Sequence, residues 1–84
     1  MDQPPYGSIL EHLMLLSERT RWAVEDAQVL IGEGQQERIN DALCFTDQLR
    51  CYLLELDQQA VPPSIINQGL IHMITAQSYL EPLP

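Results

Sequence analysis

Apolar positions recur along two long stretches of this chain at alternating spacings of three and four. The first set is Ile9, Leu13, Leu16, Thr20, Ala23, Ala27 and Leu30; the second is Ile39, Ala42, Thr46, Leu49, Leu53, Leu56 and Ala60. At 3.6 residues per turn each set falls on one helical face, so both stretches read as amphipathic helices. Two breaks punctuate them, Gly32-Glu33-Gly34 and Val61-Pro62-Pro63-Ser64. Glycine supplies the left-handed conformation that commonly ends a helix, and proline cannot continue one. The pattern therefore predicts helices over about 9–31, 36–59 and 64–80, with extended termini at 1–7 and 81–84. Ser8-Ile9-Leu10-Glu11 has the spacing of a capping box at the start of the first helix.

The short glycine link sends the second helix back antiparallel to the first, and small residues in both seams permit close approach. In the third segment Ile66, Leu70, Met73, Ile74 and Leu80 share a face, with Gly69 as a notch for a neighbouring helix. The expected fold is all-α: one domain, an antiparallel helical hairpin with a shorter third helix forming a three-helix bundle. An 84-residue chain buries only about two-thirds of its unfolded surface, and self-association is the usual remedy, so a homodimer forming a larger bundle is expected.

The seams do not account for every large apolar residue. Leu15, Trp22 and Val29 fall on a line roughly opposite the first seam, flanked by Glu11, Glu18, Glu25 and Asp26. An apolar stripe centred on tryptophan and rimmed by acid has the composition of a protein-binding surface. On the second helix Phe45 and Tyr52 lie one heptad apart at the seam edge, with Cys44 and Cys51 farther round. Those four residues are candidates for a seam that receives either the third helix or a second copy.

Charge narrows the partners. Twelve acids stand against four arginines and no lysine, a formal net charge of -8. Nucleic-acid backbones and anionic membranes are held by clustered cations, and Arg19, Arg21, Arg38 and Arg50 are scattered among carboxylates. The expected partner is a protein, one with a basic surface if the acidic rim takes part. No apolar run reaches the roughly 18 residues of a membrane span, and Met1-Asp2-Gln3-Pro4-Pro5 lacks a basic signal region, so a cytoplasmic protein is expected. Surface pairs such as Arg21 with Glu25 and Asp47 with Arg50 support helices without indicating partners, whereas Arg50 and Asp57 lie close enough to an apolar face to set register.

A search for catalytic chemistry finds little. Cys44 and Cys51 are seven residues apart, about 10.5 Å along a helix, too far for a disulfide; they read as free, half-buried thiols. His12 and His72 are isolated from each other and from any Glu-x-x-His spacing, so no metal or cofactor is expected, and His12 reads as a hydrogen-bonding residue at the seam edge. The leading expectation is a non-catalytic protein-interaction module, a regulatory adaptor, small chaperone or inhibitor. The alternative is an acidic nucleic-acid mimic that blocks a basic protein; an enzyme with a scattered site comes third.

Overall fold

A computed structural model of the chain describes residues 6–82. Three helices pack in mutual contact: α1 (Tyr6–Val29), α2 (Glu33–Gln58) and α3 (Pro63–Leu80). Contacts between α1 and α2 pair Ala27 with Gln35, Asp26 with Arg38 and His12 with Tyr52, the register of an antiparallel hairpin. The radius of gyration is 14.3 Å, against about 12 Å for a compact chain of this length. The bundle is a rod, and a rod keeps more side-chain surface in water than a sphere does.

The core follows the predicted seams of α1 and α2. Leu13, Leu16, Leu49, Leu53 and Leu56 form one cluster with Ala76 of α3; Ala23, Val24 and Ala42 form a second. Alanines at the second cluster let the hairpin close tightly. Ser17 and Val24 are buried beside the seam as well, which widens the core face of α1. Thr20 is fully buried, and its hydroxyl donates to the Leu16 carbonyl at 2.9 Å, which removes the cost of an unpaired polar group.

Several boundaries differ from expectation. Helix α1 already includes Tyr6 and Gly7, so Ser8 and Glu11 lie inside it and do not cap it. Residues 1–5 and 83–84 of the expected extended termini lie outside the described residues, and Glu81 and Pro82 form a turn. Gly32 adopts φ 68°, as the turn requires, but Gly34 belongs to the first turn of α2. The side-chain Nε2 of Gln35 donates to the Ala27 carbonyl at 2.9 Å, satisfying one acceptor that the end of α1 leaves open.

Ala60 is not a seam residue: it is exposed, at φ 57°. The Ala60 amide donates to the Asp57 carbonyl at 3.2 Å and the Val61 amide to the Leu56 carbonyl at 3.4 Å, the two bonds of a Schellman ending with alanine in the place glycine usually takes. Val61 packs on the cluster containing Leu56, and Pro63 starts α3 at its first position.

The third helix is rotated from its predicted face. Its buried residues are Ile65, Gly69 and Ala76; of the predicted face Ile66, Met73 and Leu80 stay partly buried against the core clusters, while Leu70 and Ile74 are exposed. Gly69 is the expected notch, since a Cβ there would overlap Leu53 Cδ2 and stand 3.4 Å from Leu13 Cδ1. Close approach of three helices favours the face with the smallest side chains, and the larger residues are left at the margin.

Candidate interaction surfaces

The stripe on the outer side of α1 stays open. Leu15, Trp22 and Val29 are 43%, 50% and 77% exposed, because α3 packs against the opposite, seam-bearing side of α1. Glu11, Glu18 and Glu25 are exposed around them and Asp26 is half-buried. Arg21 pairs with Glu18 at 2.8 Å, not with the expected Glu25, so Glu18 is partly neutralised.

One side of Trp22 is held in place from α2. The Arg38 guanidinium lies 5.0 Å from the indole ring centroid, a cation–π contact. Arg38 Nε also donates to Asp26 across the hairpin at 3.0 Å, and its Nη1 donates to Asp41 on its own helix. Its pKa is raised first by the hydrogen bond to Asp41, with Asp26 adding to it, against a smaller opposing desolvation. A fixed, fully charged guanidinium thus covers part of the indole and leaves the rest to solvent.

The predicted seam on α2 separates into two groups. Phe45 packs against both core clusters, and Tyr52 turns toward α1, where its ring meets His12 edge-on at 4.5 Å between centroids. That aromatic contact, not a hydrogen bond, occupies His12. Burial, with a smaller contribution from Glu55, raises the Tyr52 pKa. Cys44 and Cys51 are free and exposed rather than half-buried. Phe45 thus shares core clusters with Ala76, Tyr79 and Leu80 of α3, whereas Tyr52 faces α1 and the two cysteines face solvent.

Between α2 and α3 lies an apolar groove that the sequence did not disclose. One section, about 290 Å³, is lined by Arg50, Leu53, Leu54, Asp57, Ile66, Leu70 and Met73. A second, more polar section of about 200 Å³ shares Arg50 and Met73 with it and adds Leu43, Thr46, Asp47, Gln77 and Leu80. Leu54 and Leu70 on its banks are 56% and 45% exposed. Only Asp47, Arg50 and Asp57 bring formal charge to either section, and Arg50 Nη2 donates to Asp47 at 2.6 Å.

Among the described residues no group of three or more His, Cys, Asp or Glu side chains is placed to hold a metal ion. No helix there is long and apolar enough to cross a membrane. Comparison with protein-family models, curated proteins and solved structures returned no match.

Proposed function

We propose that this chain is a non-catalytic protein-interaction module, a small regulatory adaptor, chaperone or inhibitor, which binds a basic partner through the Leu15–Trp22–Val29 face of α1. The observation that carries this reading is the exposure of all three residues in the folded subunit, with Trp22 half in water at their centre. Burying a leucine, a tryptophan and a valine on a partner contributes several kcal/mol, and a pre-held indole loses little entropy when it docks. Glu11 and Glu25 on the rim favour a partner whose apolar contact is bordered by Lys or Arg, the pattern of a basic amphipathic helix.

Trp22 is the only tryptophan, so its fluorescence reports binding directly. The test titrates the protein with helical peptides carrying leucines at i, i+3 and i+7 and arginines on both flanks. Saturable binding with a blue shift of Trp22 emission is expected. Trp22→Ala, followed by peptide anisotropy, should weaken it at least about tenfold while far-UV circular dichroism stays unchanged. Binding that survives Trp22→Ala but collapses with added salt would instead support the acidic nucleic-acid mimic, whose working part is the carboxylate rim alone.

A further inference from the structure

The α2–α3 groove differs from the Trp22 face in one decisive respect, its near neutrality. Between Pro63 and Leu80 the chain has no Asp, Glu, Lys or Arg, and the groove lining as a whole carries one net negative charge out of the chain's eight. Of the ten carboxylates on α1 and α2, only Asp47 and Asp57 line the groove. A basic partner has little to recognise in this groove. Two strongly anionic copies of the chain, by contrast, can approach only through a face where their charge is nearly absent.

The three groove charges also have a self-complementary order. Arg50 and Asp57 lie seven residues apart on the same side of α2, two turns or about 10.5 Å, with Leu53 and Leu54 between them. A two-fold axis crossing α2 between Leu53 and Leu54 would bring each Arg50 against Asp57 of the second copy. Helix α3 runs antiparallel to α2, with Leu53 beside Gly69, Asp57 level with Ile66 and Arg50 level with Met73. The same axis therefore passes Leu70, and it sets Met73 of one copy over Ile66 of the other. Apolar groups meet at the centre and opposite charges meet on both sides of it, an isologous arrangement.

We infer that the α2–α3 face bearing this groove is the contact surface for a second copy of the chain, its banks docked α2 on α2 and α3 on α3, antiparallel, about an axis beside Leu54 and Leu70. Area is consistent with a weak dimer. The face is about 27 Å long, the length of α3, and about 20 Å wide across two helices, roughly 540 Å² per partner, which falls in the weak, transient class of interface rather than the standard class of about 800 Å². The Arg50–Asp47 pair is no obstacle, because both side chains are more than half exposed and the guanidinium re-pairs at little cost. This dimer leaves Trp22 free and stands independently of the proposed partner.

Sedimentation equilibrium on the full chain, from about 1 to about 200 µM, brackets a micromolar Kd and is expected to show a dimer. Arg50→Glu and Asp57→Arg each place like charges across the axis and should raise that Kd at least about tenfold; the double variant restores opposite charges and should return it to within about threefold of the parent. Leu70→Glu, at an exposed position, should leave the helical circular dichroism intact and yield a monomer. A parent chain that stays monomeric throughout, a dimer indifferent to Leu70→Glu, or a double variant no better than the singles would each overturn the inference.

Discussion

Gly69→Ala sets two effects of similar size against each other, and the structure decides the sign. In the interior of an exposed helix the change stabilises by about 1 kcal/mol, because alanine loses less backbone entropy than glycine. Gly69 is buried, however, and the new methyl would occupy the space of Leu53 Cδ2, with Leu53 Cγ and Leu13 Cδ1 both at 3.4 Å. Leu53 can clear it only by swinging toward the groove, which costs about 0.5–1.5 kcal/mol in rotamer strain plus about 0.8 kcal/mol for each methyl-sized group returned to water. Overpacking in well-filled sites costs about 1–3 kcal/mol in total, so the net effect is a loss of about 1 kcal/mol. Gly7→Ala is the control, since no atom lies within 4 Å of the added carbon and the residue is exposed in α1; a gain of a few tenths of a kcal/mol is expected there. Urea unfolding followed by circular dichroism at one fixed protein concentration measures both, with the midpoint compared at constant slope. In a Leu53→Ala background the clash disappears, and Gly69→Ala should become neutral or stabilising, a coupling of about 1 kcal/mol or more. If Gly69→Ala raised the midpoint as Gly7→Ala does, the notch would have no energetic content and the close approach of α3 would need another explanation.

Ala60→Gly should act in the opposite direction. The left-handed conformation at φ 57° costs alanine about 1–2 kcal/mol, partly offset by the greater unfolded-state freedom of glycine, so a net gain of about 0.5–1 kcal/mol and a rise of a few degrees in Tm are expected by scanning calorimetry. Tyr52 predicts a limit at alkaline pH. Its folded pKa is raised above the ordinary 10.0, so the folded state holds the proton longer than the unfolded state; the stability linked to this group is complete below pH 10.0 and is lost as pH rises through the raised value. Tyr52→Phe should remove that part of the alkaline decline in urea titrations, and an identical decline in the variant would refute the assignment.

The fold was legible wherever one apolar stripe clearly outweighed the others. Leu13, Leu16, Thr20, Ala23 and Ala27 lie in the expected seam, as do Ala42, Leu49, Leu53 and Leu56, because the spacing of three and four fixes a face regardless of context. Helix α3 carries two apolar faces, and there periodicity alone could not choose. The stripe with more hydrocarbon, Ile66, Leu70, Met73, Ile74 and Leu80, looked like the core; packing centred instead on Ile65, Gly69 and Ala76, where glycine and alanine let the helix come close, and kept Ile66, Met73 and Leu80 partly buried against the core clusters. Ala60 was misplaced for a related reason: its spacing continued the seam, but the approach to Pro62-Pro63 required a reversal that only a left-handed residue could make. The α1 stripe was readable because Leu15, Trp22 and Val29 repeat by heptads opposite a well-defined core. Leu43 and Leu54, eleven residues apart, gave no such signal until the position of α3 turned them into one bank of a groove.

Surface hydrophobicity alone would be weak evidence for binding, since more than half of the surface of an ordinary folded protein is apolar. The arrangement of charge around it is more discriminating. Around the exposed indole Arg21 and Arg38 pair with Glu18 and Asp26, so the proposed preference for a cationic partner rests on Glu11 and Glu25 and should weaken with salt. A groove with an uncharged helix as one bank and one arginine between two aspartates on the other has little net field, so its occupant must be selected by shape and by the register of Arg50 with Asp57. Eighty-four residues cannot hide two such surfaces in one small core, and the rod-like bundle holds them on different sides. If the two faces have separate occupants, added salt should release the partner from Trp22 while the groove interface persists, because burial of Leu54 and Leu70 is not screened by ions.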